Sequence, residues 1–175
     1  MANICSGETG RLGQRGQSGV EFGLLVPILF LLVLGVGGLA PAFNTDVALQ
    51  NAAREGVRHG IWWDASTSTN LYANSTDLRK AVQDAMQCSS CVQLQTSNGQ
   101  TCPVSYPIPA TAYPTTTGQI WMYACFNNDP AAATAAPGQP ITVLLTETVQ
   151  TFVPLPGGGN TLRLQAAISM MTQST

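Results

Sequence analysis

The pattern of apolar and polar positions changes character twice along the chain. From Gly23 to Phe43 no residue is charged and almost every one is apolar. As a helix rising ~1.5 Å per residue, Phe22 to Phe43 measures about 33 Å, enough to cross a bilayer core ~30 Å thick. The next stretch, Asn44 to Gly60 (NTDVALQNAAREGVRHG), is rich in helix formers. In it Leu49, Ala53, Val57 and Ile61 recur at four-residue spacing, with Arg54, Glu55 and Arg58 off the stripe. One long helix is expected, lipid-compatible first and amphipathic second. Pro27 inside the run is expected to weaken or kink it, and Gly35, Gly37, Gly38 and Pro41 to loosen its far end.

Past Trp62 and Trp63 comes a linker rich in Ser, Thr and Asn. A short helix is expected over Asp77 to Gln87, capped by Ser75 or Thr76, with Leu78, Ala81, Val82, Ala85 and Met86 facing inward. After Cys88 the period becomes two. Val92 and Leu94 alternate with polar neighbours, and Asn98-Gly99 is a hairpin signal. Pro103 to Pro114 reads as an irregular loop, Gln119 to Asn127 as a strand, and Asp129 to Pro140 as a loop. Ile141 to Val153 and Thr161 to Met171 read as two strands joined by a turn at Pro154 to Asn160. In the last strand Leu162, Leu164, Ala166, Ile168 and Met170 face one way. The expected class is α+β, with helices leading into an antiparallel sheet of three to five strands that lays one face on the helical stripe.

Composition narrows the function. Only 9% of the 175 residues are charged and the net charge is -2, so nucleic-acid binding has no electrostatic basis. Arg11 and Arg15 precede the apolar run against one acid, Glu8, which places the N-terminus in the cytoplasm and the part from about Asn44 outside. Three parts follow: a leader over 1–16, a membrane helix over 17–43, and an extracytoplasmic α+β domain over 44–175. The rival processing reading is a secretory signal cut after Ala42, at Ala40-Pro41-Ala42; the run exceeds the ~7–15 residues of such an h-region.

Five cysteines are present, Cys5 in the leader and Cys88, Cys91, Cys102 and Cys125 beyond the span. The last four suggest two disulfides with three open connectivities. A bond from the Cys88–Cys91 region to Cys102 or Cys125 would staple the helical layer to the sheet. A zinc site built from the four lacks the second close pair of a zinc ribbon, and a thioredoxin-type redox site lacks a βαβ context. His59 has no visible catalytic partner and reads as a solvated residue. No nucleophile motif, phosphate loop or metal-spaced carboxylates are seen, so neither an enzyme nor a cofactor is expected. Trp62, Trp63 and Trp121 read as core or interface anchors rather than an adhesive patch. Gly19 with Gly23, and Gly38 with Ala42, have the small-xxx-small spacing of close helix contacts in membranes.

The sharpest local pattern is Gly16 to Pro27, GQSGVEFGLLVP, with Glu21 at the front edge of the apolar run. A carboxylate at the bilayer centre costs ~2.5–3.5 kcal/mol on insertion scales, and less near the interface. With Ala48 to Gly60 (ALQNAAREGVRHG) and the hairpin Ile141 to Met171 with its FVPLPGGG turn, this stretch resembles the TadE-like (TadE/TadF) family, minor pseudopilins of the tight-adherence (Flp) pilus system. The middle, Trp62 to Pro140, carries no part of the resemblance. The resemblance implies cleavage by a prepilin peptidase between Gly16 and Gln17, so that Glu21 becomes the fifth mature residue. It implies that Glu21, beside Phe22, pairs with the free amine of Gln17 on a neighbouring subunit. It also implies a bacterial inner-membrane location and, as partners, other pilins and pseudopilins and the assembly platform. The alternative from another class is a single-span protein whose ectodomain binds a surface partner without polymerising.

Overall fold

A helix of 47 residues, α1 (Gln14–Gly60), leads into the head. The computed structural model describes residues 14–70, 75–95, 108–129, 132, 134–152 and 159–174. At ~1.5 Å per residue α1 is about 70 Å long. It runs as one helix through both Pro27 and Pro41. Each proline lacks the N–H that would bond four residues back, a loss that membrane helices tolerate. The expected continuation of the helix past the apolar run is therefore present.

The expected stripe is buried. Leu49, Ala53 and Val57 are fully enclosed, Ile61 nearly so, and Ala52 joins them. They pack against Ile141, Val143 and Leu145 of a sheet and against Leu78 and Val82 of a second helix. Each fully buried Leu or Val side chain stabilises by roughly 1.5–3 kcal/mol.

That second helix, α2 (Ser75–Ala85), starts and ends two residues earlier than expected. Its end is a Schellman motif. The Cys88 N–H donates to the Gln83 carbonyl at 3.0 Å and the Gln87 N–H to that of Asp84 at 3.1 Å, with Gln87 left-handed at φ 54. The two helices approach closely because α1 carries glycine there. A Cβ on Gly56 would lie 2.8 Å from Val82 Cγ2, and one on Gly60 would lie 3.2 Å from Leu78 Cδ2. Leu78, Ala81 and Val82 face inward as expected. Ala85 does not: it is exposed, on a groove whose α1 side is the polar flank of Asn51 and Glu55.

Among the described residues, seven strands form two sheets. They are β1 (Trp62–Asp64), β2 (Thr69–Asn70), β3 (Val92–Leu94), β4 (Ile120–Phe126), β5 (Pro140–Gln150), β6 (Thr161–Met171) and β7 (Gln173–Ser174). The main sheet has the order β3-β4-β5-β6 and the small one β2-β1-β7. The pairs β4–β5 and β5–β6 are antiparallel, as expected, and so is β1–β2. The pairs β3–β4 and β1–β7 are parallel, which corrects the all-antiparallel expectation. The chain between β3 and β4 is a crossover, so the two strands enter in the same direction. Asn98-Gly99 lies outside the described residues.

The stretch read as a linker after Trp63 is instead the β1–β2 hairpin. Asp64 Oδ1 closes its turn, accepting from the Ser66 N–H at 2.8 Å and the Ser66 hydroxyl at 2.6 Å. These bonds hold the Asp64 carboxyl below its usual range.

The β5–β6 register is unbroken from Pro140↔Met171 to Gln150↔Thr161. Alternation sends Ile141, Val143 and Leu145, with Leu164, Ala166 and Ile168, toward the helices. The opposite face is covered by residues 108–114 of the Pro-rich stretch, which include a 3₁₀ turn at Ala110–Ala112. The Thr146 hydroxyl donates to the Ala112 carbonyl at 2.7 Å, the Tyr123 hydroxyl to the same carbonyl at 3.3 Å, and the Thr148 hydroxyl to the Pro114 carbonyl at 2.7 Å. Tyr113 donates to Gln165 Oε1 at 2.7 Å and lies under the Arg163 guanidinium, 5.5 Å from its ring centre. Residues 108–114 thus form a third layer, pinned through hydroxyl groups on the outer face of the sheet.

Candidate functional site

The first half of α1 carries the candidate processing and assembly residues. Gly16 and Gln17 lie in its opening turns, since the helix begins at Gln14. Glu21 is exposed and Phe22 is 70% exposed. From Val20 to Val36 every large apolar side chain is exposed, whichever way it points. Monomeric soluble proteins rarely expose apolar patches beyond a few hundred Å². A surface that is apolar all round is one that lipid or other helices cover.

The two small-residue pairs have different fates. A Cβ on Gly19 or Gly23 would meet nothing within 4 Å, so this pair is open to a neighbouring helix. Gly38 and Ala42 are buried, and Ala42 shares a small cavity with Leu162 and Leu164 of β6. The second pair is therefore used inside the chain, where its small size lets the hairpin reach the helix. A shallow groove of about 320 Å³ runs along α1 past the second pair, lined by Leu31, Leu32, Gly35, Val36, Leu39 and Phe43.

The cysteines correct one expectation. Cys88 and Cys91 are bonded to each other. Cys125 is disulfide-bonded as well, with a partner outside the described residues, as is Cys102 itself. No bond runs from Cys88 or Cys91 to Cys125. The sheet explains this. Cys88 and Cys91 pack against the helix-side core, as do Ile120, Met122, Ala124 and Phe126 of β4. Strand alternation puts Cys125 on the other face, with Trp121 and Tyr123. The C-x-x-C also follows the C-terminal end of α2, where the helix dipole disfavours a thiolate.

A groove of about 620 Å³ between α1 and α2 holds Glu55, His59, Asp77, Lys80 and Asp84. His59 is not merely solvated: its Nε2 lies 3.3 Å from Glu55 Oε1. Among the described residues no three His, Cys, Asp or Glu side chains are placed to hold a metal ion. Trp62 and Trp63 follow the end of α1 at Gly60, about 25 Å along the helix axis from Phe43. They belong to the small sheet rather than to the point where the apolar run ends.

Glu147 is the titratable residue that reading the sequence passed over. It follows Leu145 on the helix-facing side of β5, between Ile120 of β4 and Leu164 of β6. It is 8% exposed, and its Oε2 has no hydrogen-bond partner among the described residues. Burial pushes its carboxyl up to about 7. The signal was available: in ITVLLTETV, Glu147 shares strand parity with Ile141, Val143 and Leu145.

These features define a class, a small α+β head carried on one helix with the length and composition of a single membrane span. Over residues 16–58 the chain matches the model of the TadE-like protein family, the family its N-terminal motifs point to. The match covers about a quarter of the chain, all of it on α1. No curated protein and no solved structure matches the chain.

Proposed function

We propose that the protein is a membrane-anchored minor pseudopilin of a tight-adherence pilus. The observation that carries this reading is the TadE-like match, which opens at Gly16 and runs the length of the exposed apolar helix into the buried stripe. On this reading residues 1–16 are a leader, removed by a prepilin peptidase after Gly16. The helix over 17–43 then holds the subunit in the inner membrane with its head outside, where it meets other pilins, pseudopilins and the assembly platform.

Cleavage changes the electrostatics of the helix end. Gln17 and Glu21 are four residues apart, so they share a helix face. The new α-amine appears one turn from Glu21, at the positive end of the shortened helix dipole. A second copy shifted along the helix axis presents its own amine to this carboxylate. The pairing offsets the cost of holding Glu21 in the apolar layer and fixes the stagger between neighbours. The open faces of Gly19 and Gly23 support close approach at the same level. The chemistry is assembly, with no catalytic step.

Glu21→Ala tests the pairing. Pilus assembly is expected to fail while the head keeps its folding and the chain its membrane fraction. Pili formed normally by Glu21→Ala would remove Glu21 from the mechanism and favour a non-polymerising anchored ectodomain.

A further inference from the structure

The head lies along α1 in a fixed direction. At one end a Cβ on Gly60 would sit 3.6 Å from Ile141 Cγ2, and one on Gly56 would sit 3.5 Å from Val143 Cγ1. At the other end Leu39, Ala42, Phe43 and Asp46 of α1 line one cavity of about 110 Å³ with Leu162 and Leu164 of β6. Leu162 pairs with Val149, so β5 runs back toward the apolar half of α1 as its numbers rise. The last strand pair is Gln150↔Thr161, and the Thr151 N–H donates to the Asn160 carbonyl at 2.7 Å just beyond it.

This end of the hairpin passes the boundary of the apolar run. Burial of α1 begins at Gly38, five residues before Phe43, about 7.5 Å of helix. Phe152, beside Thr151, is 87% exposed, more than any other large apolar side chain among the described residues. From Thr151 to Asn160 the sequence has no charged residue. An exposed phenylalanine one residue past Thr151, at the end of the hairpin that reaches the apolar half of α1, has the character of an interfacial contact. Aromatic side chains concentrate in that layer.

We propose that Phe152, just past the end of β5, is a second membrane contact, inserted into the interfacial layer of the bilayer that α1 crosses. The inference rests on the reading of α1 as a membrane anchor. The occupant is lipid because Leu162 and Leu164, on the strand paired with β5, share a cavity with Leu39, Ala42 and Phe43 of α1, which sets this end of the hairpin beside the apolar run. Two contacts, one helix and one hairpin, fix the tilt and rotation of the head where one helix alone leaves both free. They also set which edge of the sheet faces a lateral neighbour.

The test is photocrosslinking of the full chain in vesicles of phosphatidylethanolamine and phosphatidylglycerol. Benzoylphenylalanine replaces Phe152, Leu32 or Trp62 in three separate samples. Leu32 reports the anchor, and Trp62 reports the far end of the head. The expected result is a lipid adduct at position 152 close in yield to that at 32, with only background at 62. Lipid at 32 and none at 152 overturns the hairpin contact and leaves the anchor standing. A protein–protein adduct at 152, or equal lipid labelling at 62, also overturns it. No lipid at 32 means that the anchor reading itself has failed, and the inference falls with it.

Discussion

Asn70 holds Ala135 by two hydrogen bonds across 65 residues of chain. Its Nδ2 donates to the Ala135 carbonyl at 3.1 Å, and its Oδ1 accepts from the Ala135 N–H at 2.9 Å. Both residues are buried. The amide thus serves as a strand partner for an irregular segment and ties the small sheet to the loop before β5. Asn70→Ala strands two buried backbone groups and is expected to destabilise the head by about 2–4 kcal/mol. Denaturant unfolding of the full chain in detergent measures it. Asn70→Asp keeps the acceptor but loses the donor, and is expected to be destabilising too.

Gly56 gives a packing prediction of defined sign. Alanine there gains about 1 kcal/mol of helix propensity. Against this, its Cβ would lie 2.8 Å from Val82 Cγ2, with Val143 at 3.5 Å behind. Overpacking of this kind costs about 1–3 kcal/mol. Gly56→Ala is therefore expected to lower the unfolding midpoint, and Gly56→Val to lower it further. A rise with alanine would mean that α2 moves away freely.

Gln87 holds the left-handed position of the Schellman motif that turns α2 toward Cys88. A side chain there costs about 1–2 kcal/mol that glycine does not. Gln87→Gly is expected to raise stability by up to about 1 kcal/mol, after the greater freedom of glycine in the unfolded chain is allowed for. A thermal unfolding midpoint reads the difference.

Glu147 makes stability depend on pH in an unusual direction for a carboxyl group. Its value is about 7 in the fold against an ordinary 4.5. Between these values the folded chain keeps a proton that the unfolded chain has released. Stability contributed by this group is full below about pH 4.5, falls as pH rises to about 7, and is level above. The amplitude expected is about 1–3 kcal/mol. Glu147→Gln should flatten that part of the profile and unfold later than the native chain at pH 8. An unchanged profile would show that the carboxyl reaches water.

Much of this architecture is legible in the sequence because it rests on local periods. The stripe Leu49, Ala53, Val57 and Ile61 and the alternation from Leu162 to Met170 each follow one element's own geometry. What is not legible depends on partners distant in the chain. Nothing in Val92–Leu94 says that its neighbour is Ile120–Met122 in parallel, nor does Trp62 announce Gln173. Cysteine pairing was open for the same reason, and sheet faces decide it between Cys91 and Cys125. Glu147 was hidden by its neighbours: one acid in a run of Thr, Val and Leu reads as a solvent-facing position until strand parity is counted. The candidate assembly residues, Gly16, Gln17 and Glu21, stand out by spacing and charge alone; on the proposed reading they meet other chains.

The most direct test of the account is the mature N-terminus, read by mass spectrometry of the protein purified from the membrane fraction. The account predicts a chain that begins at Gln17, with Glu21 as its fifth residue. A chain that begins at Phe43 would make the head a secreted domain and take Glu21 out of any assembly. A chain that still begins at Met1 would leave an anchored protein without prepilin processing and contradict the pseudopilin reading.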